Sequence, residues 1–143
     1  MLRVGTVGTS SIMRTIQEAI RLTDGMECRV VYSRTEEQGR AFASEMGVPE
    51  HCTDYAAMLE RSDLDLIDIA SPNRFHVEQA LAALEHGKHV IVEKPAAVTR
   101  GDVQRLIDAA RANGVYFFEA ITTLFMPQYE ACRLLLPKLG RIE

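Results

Sequence analysis

The sequence predicts a doubly wound α/β fold, in which one parallel sheet is built from strands that alternate with helices. Three observations predict it. Short strand-forming apolar runs alternate along the chain with segments whose apolar residues recur at helical spacing. One run, Val90-Ile91-Val92, is continuously apolar, as a strand buried on both faces must be. No internal repeat or low-complexity linker breaks the alternation. Helices between successive strands force parallel pairing and right-handed crossovers, so the expected strand order is 3-2-1-4-5-6.

Each element follows from local chemistry. Leu2–Val7 is rich in strand formers, and Ser10 and Ser11 after it are candidate N-caps. Ile12, Ile16, Ala19 and Ile20 then share one helical face. Met26–Tyr32 is the second strand, and Thr35 with Gln38 forms a capping box that starts a helix ended by Gly47. Pro49–Thr53 reads as a short edge strand and Tyr55–Arg61 as a short helix. Leu64–Ala70 is the fourth strand, closed by Pro72, and Val77, Ala80, Leu81 and Leu84 mark the helix after it, which Gly87 ends. Val90–Val92 is the fifth strand. Thr99 with Asp102 caps the next helix, which carries Val103, Leu106, Ile107 and Ala110 and stops at Gly114. Val115–Glu119 is the sixth strand, and Pro127–Leu136 is helical.

Composition sets the outer limits. The 143 residues, 47% hydrophobic and 25% charged, suit one folded unit and are too few for two full domains. A net charge of −4 gives no broad attraction to nucleic acid or to an acidic membrane surface. The opening MLRVGTVGTSSIM lacks the apolar core of a signal peptide, and no apolar run approaches the ~20 residues of a membrane span. Cys28, Cys52 and Cys132 are odd in number and lack metal-ligand spacing, so they read as free thiols in a reducing, cytoplasmic compartment. His86 and His89 straddle a helix end and would not share a face, so no metal is expected. Phe117, Phe118 and Phe125 read as core.

In a doubly wound sheet, ligands sit beyond the carboxyl ends of the strands. The first such turn runs Gly8-Thr9-Ser10-Ser11-Ile12-Met13, a glycine turn into a helix N-terminus, which suits a pyrophosphate. Its G-x-G-x-x-G pattern is incomplete, because Ser10 and Met13 hold the second and third glycine places, and a plain strand–helix turn remains the alternative. The second strand ends at Ser33 and Arg34, where an NAD site usually carries a carboxylate for the ribose 2′-hydroxyl. A hydroxyl and a guanidinium suit a 2′-phosphate instead, which favours NADP over NAD. Glu36 and Glu37 read as complements to a helix dipole.

Ser71, Pro72, Asn73 and His76 follow the fourth strand. Taken alone, Asn73 reads as a helix cap and His76 as a surface histidine. Glu93 and Lys94 follow the fifth. Desolvation there disfavours the charged form of Lys94 while Glu93 favours it, a balance suited to moving a proton as a hydride moves. The plain alternative is a Glu93–Lys94 ion pair.

Together these segments resemble the N-terminal domain of the glucose–fructose oxidoreductase / inositol dehydrogenase (Gfo/Idh/MocA) family. The resemblance rests on GTVGTSSIM, on YSRTEEQGRAFASEMGV, on the SPN…H…GKHV…EKP run from Ser71 to Pro95, and on FFEAITTLFMPQY. It implies a Rossmann fold and NAD(P)-dependent oxidation or reduction of a sugar, polyol or related carbonyl. Gly8 and Thr9–Ile12 would hold the pyrophosphate, and Ser33 and Arg34 the adenosine ribose. Ser71, Pro72, Asn73 and His76 would line the middle of the groove. Glu93 and Lys94 would stand near the nicotinamide, with Lys94 as the catalytic lysine. Leu124 stands where family members often carry an arginine.

The resemblance further implies that residues 1–139 form the dinucleotide-binding domain and that 140–143, beginning Gly140-Arg141-Ile142, start a second α+β domain. That domain would bring substrate contacts and usually the oligomer interface, so the chain alone is expected to bind cofactor without turning over. A non-catalytic NAD(P)-binding sensor is the alternative.

Overall fold

The computed structural model describes residues 1–138 and 140. Six strands form one parallel sheet: β1 (Leu2–Val7), β2 (Met26–Tyr32), β3 (Glu50–Cys52), β4 (Leu66–Ile69), β5 (His89–Val92) and β6 (Phe117–Glu119). Their order is β3-β2-β1-β4-β5-β6, as the alternation predicts. The helices are α1 (Ser11–Leu22), α2 (Glu36–Met46), α3 (Tyr55–Leu59), α4 (His76–Glu85), α5 (Arg100–Ala112) and α6 (Pro127–Leu135). β4 and β6 are each shorter than the sequence suggests, although Asp65, Ala70 and Tyr116 beside them still exchange single backbone hydrogen bonds with neighbouring strands.

The N-cap half of each expected capping box forms, while the reciprocal bond from the Gln38 or Asp102 side chain to the N-cap backbone N–H is not made among the described residues. The Thr35 and Thr99 hydroxyls accept from the backbone N–H groups of Gln38 and Asp102. One face of the sheet presents Val7, Ile67, Ile69, Val90 and Val92 to Met58 and Leu59 of α3, Ala80 and Leu84 of α4 and Leu106 of α5. The other presents Val4, Val31, Leu66 and Ala70 to Met13 and Ile20 of α1 and Phe42 of α2. Successive same-face residues alternate with those of the opposite face, so this division follows from the strand period.

The aromatic residues near the end of the chain correct the expectation of a shared core. Phe117 packs against the buried cluster, but Phe118 is 57% and Phe125 86% exposed. The α1 and α2 layer covers β1–β4 and reaches Ile91 of β5 but not β6, and α6 buries none of its residues, so Phe118 on the edge strand has no helix above it. Residues 141–143, with most of the expected start of a second domain, lie outside the described residues.

β1 and β4 meet where the strand order reverses. Gly8 lies just beyond β1 with φ +115°, a left-handed conformation that glycine tolerates. A Cβ there would lie 2.7 Å from the Ala70 carbonyl oxygen. Gly8→Ala is therefore expected to lower stability by about 2 kcal/mol or more in urea unfolding, combining backbone strain with a clash against backbone. Gly25→Ala, at φ +83° with open space around it, should cost only about 1 kcal/mol. Equal losses for the two variants would contradict the close approach.

Candidate functional site

Parallel strands bring all their carboxyl ends to one edge, and the reversal at β1 and β4 opens a cleft there. The cleft has two contiguous parts. One, of about 240 Å³, is lined by Gly8, Thr9, Ser10, Ser33, Arg34, Gln38, Ser71, Pro72, Phe75 and Gln79, with Tyr32. The other, of about 420 Å³, is lined by Ser10, Ile12, Ser71, Pro72, Asn73, His76, Glu93 and Lys94. Ala70 belongs to both. Apart from Ser11, an exposed first residue of α1, the residues singled out from sequence converge on this cleft.

The start of α1 is suited to an anion. Ser10 occupies the N-cap position, yet its side chain makes no capping hydrogen bond, and the first turn holds no acid. The expected serine cap is thus absent, and the orphan N–H groups keep their capacity for an incoming acceptor. Arg14 is not free to help: its guanidinium is bound to Glu45 at 2.7 and 2.8 Å and reaches the Thr9 carbonyl at 3.4 Å. Gly8, where a Cβ would strike Ala70, lets the turn close beneath the helix end.

Across the cleft, Ser33 is buried at the end of β2, and its N–H donates to the Cys52 carbonyl at 3.0 Å. Arg34 is exposed and forms no ion pair among the described residues. Glu36 faces other partners: it accepts from Arg40 at 2.9 Å and pairs with His51 at 2.8 Å. The His51 and Arg40 contacts hold its carboxyl below the usual range. The corner beside Arg34 therefore has a cation and no competing carboxylate from Glu36.

The middle wall differs from its sequence reading. His76 is not a surface histidine but fully buried, and both ring nitrogens meet backbone carbonyls, Ser71 at 2.7 Å and Pro95 at 2.9 Å. The ring ties the turn after β4 to the turn after β5, so its nitrogens are already committed. Asn73 does not cap α4 with its side chain, because a 3₁₀ turn, Asn73–Phe75, precedes the helix. The Ser71 hydroxyl donates to Gln79 Oε1 at 2.6 Å. Gln38, Phe75 and Gln79 line the cleft as well, although the sequence marks Gln38 only as part of a helix cap and the other two as ordinary helix or turn residues.

Lys94 corrects the picture of a desolvated lysine. It is exposed at the lip of the cleft. No Glu93–Lys94 ion pair forms among the described residues; Glu93 Oε2 accepts from the Lys94 backbone N–H at 3.3 Å. The Lys94 ammonium is thus turned toward solvent and cleft rather than spent within the fold. Each of the other two candidate histidines spends Nδ1 on backbone: His86 Nδ1 meets the Ala82 carbonyl at 2.7 Å, and His89 Nδ1 accepts from Tyr116 N–H at 3.0 Å.

These features fit a dinucleotide: a helix end lacking a cap, a glycine pinned against backbone, and a free guanidinium at the second strand. The family model described as an oxidoreductase family with an NAD-binding Rossmann fold matches residues 2–121. The chain belongs to the Gfo/Idh/MocA oxidoreductase family. Within the family's reach, scyllo-inositol 2-dehydrogenase (NADP(+)) of Bacillus subtilis is 34% identical over all 143 residues, which span 44% of that protein. The 1,5-anhydro-D-fructose reductase of Ensifer adhaerens is 39% identical over 116 residues, 80% of this chain and 34% of that one. A 3-ketoreductase from Actinomadura kijaniata, solved with NADP and TDP-benzene, superposes with a TM-score of 0.90 at 30% identity, covering 96% of this chain and 42% of that one. The chain thus spans less than half the length of the Gfo/Idh/MocA relatives it matches.

One residue was missed altogether. Asp68, in β4, is buried on the face covered by α1, and its Oδ1 has no hydrogen-bond partner among the described residues. Burial pushes its carboxyl up to about 7, and the charge of Glu93 adds to the shift. The folded state thus binds this proton more tightly than the unfolded chain. Stability from the protonated form is complete below about pH 4 and is lost as pH rises through about 7, on the order of a few kcal/mol. Asp68→Asn should match the wild type near pH 4 and exceed its melting temperature near pH 8. A difference that does not change with pH would contradict this reading.

Proposed function

We propose that this chain is the cofactor-binding half of an NAD(P)-dependent oxidoreductase that transfers a hydride to or from a sugar, polyol or related carbonyl compound. NADP is the favoured cofactor. The observation that carries the reading is one cleft that brings the bare start of α1, the free Arg34 and the exposed Lys94 to a common edge. The names of the similar proteins, two of which specify NADP, support it.

Bound there, the nicotinamide would supply the hydride chemistry. The N–H groups of Ser10–Ile12 would hold the pyrophosphate against the positive end of α1. Ser33 and Arg34 would take the adenosine ribose and its 2′-phosphate, which a guanidinium favours and a carboxylate would repel. Ser71, Pro72 and Asn73 would form the central wall, with His76 fixing that wall from behind. Glu93 would stand near the second ribose. Lys94 would hold the substrate oxygen and share its proton.

On this reading residues 1–139 are one dinucleotide-binding domain, and residues 140–143 lead toward an α+β domain that supplies further substrate contacts and an oligomer interface. The free cysteines fit a cytoplasmic setting. The negative net charge offers no general affinity for nucleic acid or acidic membranes.

Fluorescence titration tests the cofactor. NADPH should bind this chain about tenfold more tightly than NADH, and Arg34→Glu should remove that preference, as expected for a charge-assisted phosphate contact worth about 1.5 kcal/mol. Equal affinities in the wild type would overturn the NADP assignment. Lys94→Ala should leave NADPH affinity within about twofold while abolishing turnover in a longer form carrying the substrate domain. The 143 residues alone should show no steady-state turnover. Binding without turnover in the longer form would favour a sensor instead.

A further inference from the structure

Asp68 has no structural task that its chemistry explains. It sits in the middle of the sheet, paired in register with Thr6 of β1 and Ile91 of β5. Side chains two apart on a strand share a face, so Asp68 lies on the same face as Leu66 and Ala70. Leu66 packs with Ile20 of α1. Ala70 floors both parts of the cleft. Glu93 follows Ile91 by two residues, so it shares this face as well and lines the cleft. Asp68 is therefore one same-face step beneath the cleft floor and diagonal to Glu93.

Its surroundings supply no compensating charge. From β1, Thr6 has its hydroxyl committed to Gln17 of α1 at 2.9 Å. From β2, Cys28 is the titratable neighbour, with its thiol pushed up chiefly by burial. From β5, Glu93 adds a like charge. Asp68 forms no ion pair among the described residues, and Oδ1 is unsatisfied. A buried carboxyl of this kind ionises more readily when a positive charge comes near.

We propose that Asp68 discriminates the redox state of the bound nicotinamide cofactor: it keeps its proton beneath the neutral reduced ring and releases it to solvent when the cationic oxidised ring occupies the cleft. The inference rests on the cofactor reading above and assigns a residue to one feature of it, the single positive charge by which the two forms differ at the ring. Binding of the oxidised form then expels a proton that binding of the reduced form does not.

The test compares NADP⁺ and NADPH on the same chain across about pH 6 to pH 8. The 2′-phosphate also titrates near about 6, but it is common to both forms and cancels in the ratio of their dissociation constants. In the wild type, NADP⁺ should gain on NADPH by roughly threefold to tenfold as pH rises, the range for unit charges separated by a layer of protein. Calorimetry in two buffers of different ionisation enthalpy should show more proton release with NADP⁺ than with NADPH, the excess coming from Asp68. In Asp68→Asn the ratio should be flat. Should that variant fail to fold, Glu93→Gln removes the like charge and should move the wild-type transition to lower pH.

Carbon NMR of the cofactor-free chain separates this inference from the reading beneath it. An Asp68 carboxyl that titrates in the ordinary acid range, with NADPH still bound tightly, overturns the inference alone. Absence of binding by either nucleotide overturns the cofactor reading and the inference with it. An unchanged pH-dependent ratio in Asp68→Asn assigns the effect to another group and also overturns the inference.

Discussion

The cleft depends on how closely β1 and β4 approach at their carboxyl ends. Ala70 N–H donates to the Val7 carbonyl and Gly8 N–H to the Tyr32 carbonyl, each at 3.0 Å, and there is no room for a Cβ on Gly8. From this point α1 leaves over one face of the sheet and α4 over the other, so the two crossovers diverge and leave a gap. At the opposite end of the same strand pair, Asp65 accepts from the backbone N–H, Nε and Nη2 of Arg3 at 2.7 to 2.9 Å. Arg3 holds that carboxyl below its usual range. Backbone contact at one end and an ion pair at the other fix the register of the two halves. That register sets Ser10 against Ser71.

The same polarity sorts chemically identical side chains into different roles. Lys88, at the amino end of β5, is buried and donates to the Arg61 and Leu64 carbonyls at 2.6 and 3.0 Å. It closes a loop at the end of the sheet opposite the cleft. Lys94, past the carboxyl end of the same strand, is exposed beside Glu93. Two helix starts diverge in the same manner. The first turn of α2 carries Glu36 and Glu37 and a Thr35 cap, which satisfies its dipole internally. The first turn of α1 has neither an acid nor a side-chain cap and leaves that demand open.

Strand order and cleft membership were legible because both follow from short-range pattern. Alternation forces parallel pairing, parallel pairing collects the strand ends, and residues such as Ser33, Ser71 and Lys94 then have to lie at one edge. What sequence missed depended on distant partners. His76 looks like a surface residue until Pro95, nineteen positions later, supplies the carbonyl that receives its ring. The burial of Asp68 was hidden because LDLIDIA puts acids at both 65 and 68, and nothing local says which of them water reaches. Only its central place between β1 and β5, with α1 above, removes the water. The exposure of Phe118 was hidden for the converse reason, since nothing local says that α1 and α2 stop before the sheet's edge.

Asp68 breaks a rule that the rest of β4 obeys. Its neighbours along β4, Leu66, Ile67 and Ile69, are all buried and apolar, and an apolar side chain would meet the same steric demand without the cost of an unsatisfied oxygen. Local choices that conflict with an otherwise consistent fold concentrate at functional sites. The conflict here lies directly under the floor of the cleft, not at a distant edge, and its cost is smallest while the carboxyl keeps its proton. The fold alone therefore favours the neutral form, whereas the ionised form is stabilised by a cation that the described residues do not place near it. A ligand that carries a positive charge into the cleft in one of its two states supplies that cation in that state only.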